Sequence, residues 1–340
     1  MLFWIPWLLQ ILPAPIVVAP PQSDELILSG HWSPTLRPDA RGYLSTSSGP
    51  VLELGHAKFS VESQRMELGG LLSGTDSVDP DAVLATGYGR VPTSGASTRT
   101  ELKAEYGLGD ATSLRITVPF ETRTYRFLDD TGVPSRETVQ GLGDILLGAG
   151  VEMSHQDWQR TEFELLVSVP TGSTRAREGS SGSPATPLLP YSMQLGGGTY
   201  ALEPGLTWTH WWSQWSVGTS THASLPLDRN DQGWNRGDRL EVEAWVSRRI
   251  DPFRSLTLGM EYQKQSSVEG MDSGMDPTYD PTLDPGLTGY QRVYMDLGLH
   301  LIAESNNRLA IEFGVPIWQD TEGPQLEGDL RITVGWWLTF

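Results

Sequence analysis

The 340-residue chain contains no cysteine. Disulfide staples, thiolate catalysis and cysteine-ligated metals are therefore excluded, and long loops must be held by other means. Basic residues are scarce as well: 24 Lys and Arg stand against 42 Asp and Glu, a formal charge of −18. That balance excludes nucleic acid as a partner, because phosphate binding needs a cationic face. A mean hydropathy of −0.29 is too polar for a bundle of membrane helices, yet it suits a barrel in which only every second wall residue meets lipid. The six histidines, His31, His56, His155, His210, His222 and His300, show no zinc spacing. Gly141-Leu-Gly-Asp144 and Gly196-Gly-Gly198 lie beside strand-like runs rather than before a helix, so they do not read as phosphate cradles. No cofactor is expected.

The one long apolar run, Leu2 to Ala19, reads as part of a secretory signal peptide over residues 1–21. It lacks a preceding Lys or Arg and is interrupted by prolines, which keeps a retained anchor or a misassigned start codon open as alternatives. Residues 22–52 show no periodicity and are rich in Ser, Pro and Gly; a flexible periplasmic leader is expected there. The remainder, 53–340, is expected to form a transmembrane antiparallel up-and-down β-barrel of about 12 strands.

Glycine and tryptophan are abundant, at 37 and 13 residues, which suits bending strands and membrane-interface rings. The clearest strand is the last. From Leu326 to Phe340, Leu326, Leu330, Ile332, Val334, Trp336, Leu338 and Phe340 are assigned to one face, and Glu327, Asp329, Arg331, Thr333 and Thr339 to the other. Similar alternation recurs in Arg115–Glu121, Glu162–Val169, Arg239–Val246, Val293–Leu301 and Arg308–Val315. Short connections near 107–112, 154–157, 213–214, 251–254 and 303–307 alternate with longer polar ones at 69–96, 128–141, 171–193, 228–237, 266–290 and 318–325. Five short and six long connections imply twelve strands, with short turns on the periplasmic side and long loops outside. Trp212, Trp215 and Trp336 fall outward near the short turns, as an interfacial girdle requires. Trp211, Trp245 and Trp337 fall inward, where they either narrow the lumen or pack on the leader.

The inward face carries the candidate solute path: Glu101, Lys103, Glu105, Arg115, Glu121, Glu162, Glu164, Arg239, Glu241, Glu243, Asp296, Glu312 and Arg331. Acids outnumber bases in it, so an acidic lumen favouring cations is expected. The alternative is an interior filled by paired polar side chains with no open path. Asp272, Asp276, Asp280 and Asp284, spaced by four, form a candidate loop for a hard cation such as calcium, or else a stiff array of turns. His210 points outward, which raises a lipid hydrolase as an alternative activity. A structural or ligand-binding surface barrel is a further alternative.

From about Met66 onward the chain resembles the outer-membrane transporters of the meta-pathway phenol-degradation protein family. The resemblance is carried by Gly74-Thr-Asp-Ser-Val78, Gly141-Leu-Gly-Asp-Ile145, Val169-Pro-Thr-Gly172, Leu189-Pro-Tyr-Ser-Met-Gln-Leu-Gly196 with Gly198-Thr-Tyr200, Asn230-Asp-Gln-Gly233 with Gly237-Asp238, and Gly323-Pro-Gln-Leu-Glu327. It implies a barrel in the outer membrane of a Gram-negative-type envelope and a transport role, with no catalytic residues to carry over. The expected partners are the lipid bilayer and surface glycolipid, a small-molecule solute, and the barrel-assembly machinery acting through the strand that ends at Phe340.

Overall fold

The computed structural model describes residues 37–40, 44, 51–156, 158–179, 186–304 and 307–340. The expected signal peptide, and all of the expected leader except residues 37–40, 44, 51 and 52, lie outside the described residues.

The extended runs are β1 (Ala57–Gly74), β2 (Asp76–Val78), β3 (Arg90–Gly107), β4 (Thr112–Asp129), β5 (Pro134–Leu142), β6 (Ile145–Gln156), β7 (Gln159–Val169), β8 (Ala201–Trp211), β9 (Trp215–Pro226), β10 (Trp234–Asn235), β11 (Arg239–Asp251), β12 (Arg254–Gln265), β13 (Glu269–Gly270), β14 (Tyr290–Glu304) and β15 (Asn307–Thr339). One short helix, α1 (Pro80–Leu84), caps on Asp79. Successive wall strands pair antiparallel, β10 pairs with β13 in a separate two-stranded sheet, and β15 returns to β1 with Lys58 opposite Thr339, which closes the barrel sheet. Of the thirteen runs in this sheet, β2 is a three-residue spur on β1, and β5 and β6 share one position beside β4, parted at Gly143 and Asp144. Eleven wall runs remain. The last of them counts twice around the circumference: residues 307–321 pair with β14 and 321–339 with β1. The Gln319 side chain bonds both the N–H and the C=O of Gly328 across that hairpin, giving twelve staves.

The wall is apolar outside and polar inside. In β4, Leu114 is 48% exposed and its neighbour Arg115 is 9% exposed. A water-soluble sheet would bury the leucine, whereas a lipid-facing barrel exposes it. Leu147, Leu165, Leu206, Leu258, Met295 and Phe313 repeat this outward pattern around the circumference. Tyr106, Trp158, Trp212, Trp215 and Phe340 are exposed at the short-turn end, and Phe59 meets Trp336 edge-on with centroids 6.4 Å apart. These rings form the expected girdle.

Four expectations need correction. The stretches 69–96 and 128–141 are largely strand, and 318–325 lies wholly inside β15: β1 continues to Gly74, β3 starts at Arg90, β4 turns into β5 across residues 130–133, and β15 stays extended through its hairpin. β5 hides itself from pattern reading because its half-buried face carries the mixed set Glu137, Val139 and Gly141, while its other face is exposed. The fourth correction is at Leu326, which is buried inward with Leu68 and Leu71, while Asp329 is exposed. The β1–β15 register slips between Met66 and Leu68, where Arg331 is followed by Gly328 as partner. Such a bulge exchanges inward for outward beyond it.

Both ends of the lumen are furnished. At the long-loop end, Leu189 and Met193 pack with Leu68, Leu71, Val91, Tyr125 and Phe127, and Tyr191 meets the fully buried Trp234 at 4.9 Å beside Met275 and Leu283. Arg90 ties this roof together, bonding Asp280 at 2.8 Å and pairing with Glu178. At the short-turn end, the Asp39 carbonyl accepts bonds from Trp211 Nε1 (3.3 Å) and Ser216 Oγ (2.9 Å). Arg37 there donates to the Trp212 carbonyl, and Leu44 packs on Ala310 and Trp337. Two of the three inward tryptophans, Trp211 and Trp337, therefore contact the segment that precedes β1.

Candidate functional site: the lumen

Between these two ends lies a cavity of about 270 Å³. Its wall is built from charges at every second residue. On β3, Arg99, Glu101, Lys103 and Glu105 share the inward face because strand side chains alternate, so opposite signs stand two residues apart. Arg99 reaches Glu101 at 2.6 Å and Glu121 at 3.1 Å. Lys103 reaches Glu101 at 3.0 Å and also pairs with Glu62, which stands opposite Glu101 on β1. Arg115 joins Glu105 (3.1 Å) to Glu164 (2.7 Å), and Lys58 also pairs with Glu105. Further round the wall, Arg331 holds Asp296 at 2.8 Å and Glu261 at 2.5 Å, and Arg239 pairs with Glu241. Buried charges are tolerated only when paired in this manner.

Glu101, Lys103, Glu105, Arg115, Glu121, Glu164, Arg239, Glu241 and Arg331 line the cavity. Glu162, Glu243, Asp296 and Glu312 are buried in the interior but outside its lining. Glu162 accepts the Val51 N–H at 3.0 Å, and Glu312 accepts the Leu44 N–H at 2.7 Å, so two of the expected path residues hold the segment before β1 instead. The lining counts nine carboxylates against seven lysines and arginines. Net acidity is thus small, and the cavity is better described as a lattice of ion pairs than as free carboxylate rings. Sequence reading takes Lys103, Arg115, Arg239 and Arg331 as its chief bases; Lys58, Arg99 and Arg236 join them in the lining. Arg99 shares the inward parity of β3 and is legible there. Arg236 lies in the loop before β11, where no periodicity marks it.

Inward glycines face the bulkiest of these side chains. A Cβ on Gly150 would lie 2.7 Å from the Arg115 guanidinium carbon, one on Gly205 2.8 Å from Glu164, one on Gly218 2.3 Å from Trp245, and one on Gly314 2.2 Å from Asp296. Each glycine leaves the volume that a side chain on a neighbouring stave occupies, which packs a narrow interior without strain.

Asp144, at the break between β5 and β6, projects into the cavity lining. Its Oδ1 accepts the Gly172 N–H at 2.8 Å and its Oδ2 the Gly197 N–H at 2.7 Å. These are the two legs of the loop that carries Leu189, Tyr191 and Met193 into the roof. The legs touch: a Cβ on Gly172 would lie 2.7 Å from Gly196 Cα, so only glycine allows this neck.

The four candidate metal aspartates are used separately. Asp272 accepts from Gly274 N, Asp276 from Thr278 N, Asp280 from Thr282 N and Asp284 from Gly286 N, all at 2.8–2.9 Å. Each closes its own turn, and among the described residues no group of three acidic or imidazole ligands converges. Hydrogen bonds from Thr278 hold the Asp276 carboxyl below the usual range. His210 lies on the outer face against Trp158, Trp208 and Trp212, at 5.2, 6.1 and 4.3 Å between centroids, a setting of interfacial rings rather than of a nucleophile and its acid.

Known proteins place this architecture. The barrel is similar to the COG4313 outer membrane channel from Pseudomonas putida F1, at 13% identity and a TM-score of 0.60, covering 88% of this chain and all of that one. Weaker likenesses are the NanC porin (10% identity, TM-score 0.40, covering 81% of this chain and 98% of that one) and the CymD monoaromatic hydrocarbon channel (9%, 0.38, covering 85% and 89%). No curated protein sequence matches. The fold is that of an outer-membrane barrel. Residues 74–291 match the profile of one family, described as "Putative MetA-pathway of phenol degradation", and the chain belongs to that family.

Proposed function

We propose that the protein is a passive channel for small solutes across the outer membrane. The observation that carries this is the charge-lined cavity, about 270 Å³, enclosed by a barrel whose outer face is apolar. A roof of loop side chains and a partly filled short-turn end bound it, so passage requires small displacements at either end rather than a change of fold. The ion-paired residues Glu101, Lys103, Glu105, Arg115, Glu121, Glu164, Arg239, Glu241 and Arg331 would set which solutes pass, and the family description points to small phenolic compounds. Glu162, Glu243, Asp296 and Glu312 would act indirectly, by shaping the filled half of the interior. The reading leaves no catalytic role to His210. The strand that closes on β1 is the segment the barrel-assembly machinery would engage, and the outer loops are what surface glycolipid would meet. Planar-bilayer recording of the purified protein tests the proposal: discrete conductance steps are expected in potassium chloride. No conductance, together with unaltered uptake of phenolic solutes in a deletion strain, would refute it.

A further inference from the structure

The cavity's cations are matched to carboxylates with one exception among the described residues. Arg236 lines the cavity and forms no ion pair within 4.0 Å; its guanidinium donates to the Gln194 carbonyl at 2.6 Å. The nearby acids are already committed: Glu121 serves Arg99 and Arg123, at 3.1 and 2.9 Å, and Asp144 serves the Gly172 and Gly197 N–H groups. Burial, with repulsion from Arg123 and Arg99 that Glu121 and Asp144 oppose, pushes Arg236 below the usual arginine range. A guanidinium in that position gains from any anion that reaches it. Leu146, Leu195, Ala201 and Pro226 line the same cavity. Its volume is below the roughly 300 Å³ at which drug-sized sites begin, so the body of such an anion must be small.

We infer that Arg236 forms a seat for a small organic carboxylate carrying an apolar, ring-sized body, held by the guanidinium at one end and by the apolar lining at the other. The seat prefers anions even though the lining as a whole carries two more acids than bases. The inference deepens the channel reading and rests on it for its biological meaning, but binding can be measured whether or not the solute passes.

The test is calorimetric titration of the purified full chain in detergent with sodium benzoate, with benzamide and benzylamine as neutral and cationic probes of the same shape. Benzoate is expected to bind at least about tenfold more tightly than either, the scale of one charge-assisted hydrogen bond. Arg236→Gln should erase that preference and Arg236→Lys should restore part of it, with heat-dependent gel mobility checking that each variant is folded. Equal binding of the three probes to the wild type would overturn the inference, as would benzoate preference surviving in folded Arg236→Gln. Should the glutamine variant misfold, the wild-type probe series and the lysine variant decide. Conductance in plain potassium chloride judges the channel reading separately: a protein that binds benzoate and passes no current loses the channel and keeps the seat, and the reverse outcome does the opposite.

Discussion

Asp144 offers a direct handle on the roof. Its two oxygens each accept one backbone N–H from the loop neck. Hydrogen bonds to a charged group contribute about 1.5–3 kcal/mol each, and partial solvent access favours the low end, so Asp144→Ala removes about 3 kcal/mol from the seated loop. That is about a hundredfold in the ratio of lifted to seated loop. The apolar seat opposes release: Leu189 and Met193 are both fully buried, worth about 1.5–3 kcal/mol apiece, with Leu188 and Tyr191 adding to it. The seat therefore still wins in the variant. The expected result is a closed-favouring channel with much more frequent brief openings in single-channel records, not a permanently open one. Asp144→Asn keeps one acceptor and should fall between wild type and Asp144→Ala. Combining Asp144→Ala with Met193→Ala should lengthen the openings. Indistinguishable gating across wild type, asparagine and alanine variants would refute the idea that this carboxylate holds the loop down.

Other outcomes follow from the same geometry. Gly218→Val places a side chain where Trp245 already stands, so the variant should lose heat-resistant mobility at a temperature at least several degrees lower, by about 1–3 kcal/mol of overpacking. Trp337→Ala empties the space against Leu44 and Ala310 and removes the bond to Glu62; ionic conductance should rise. The Asp276 carboxyl is held below its usual range by Thr278, so its turn is fully stabilised above pH ~4 and loses that stabilisation as pH falls through the lowered value. Limited proteolysis with an acid protease should cut near 276–279 more readily as the pH is lowered from about 5 to 3, and the step should vanish in Asp276→Ala.

The membrane wall was legible because lipid and water impose opposite demands on alternate residues, as in Leu114 against Arg115. The inward tryptophans followed from the same parity. What parity could not show is where it breaks. Leu326 is exchanged for Asp329 by a register slip that no local residue announces, and β5 conceals its alternation because its half-buried face mixes Glu137, Val139 and Gly141. The candidate path was readable as a set of inward charges, but not as pairs, since Arg115 meets Glu164 from strands distant in sequence. The roof depends on contacts between loops more than forty residues apart, such as Tyr191 with Trp234, and loop polarity alone conceals that they share a core. The aspartates spaced by four looked like ligands because spacing says nothing about whether each oxygen is spent on its own backbone.

The inward glycines carry a consequence for how such an interior can vary. Arg115 and Gly150, Trp245 and Gly218, Asp296 and Gly314 are each a tenon with its mortise. Trimming the tenon leaves a void, and filling the mortise forces a collision, so neither partner drifts freely alone. New bore shapes become reachable chiefly through coordinated exchanges between adjoining staves, and the natural variation of this interior should show itself as covarying large-and-small couples rather than as independent positions.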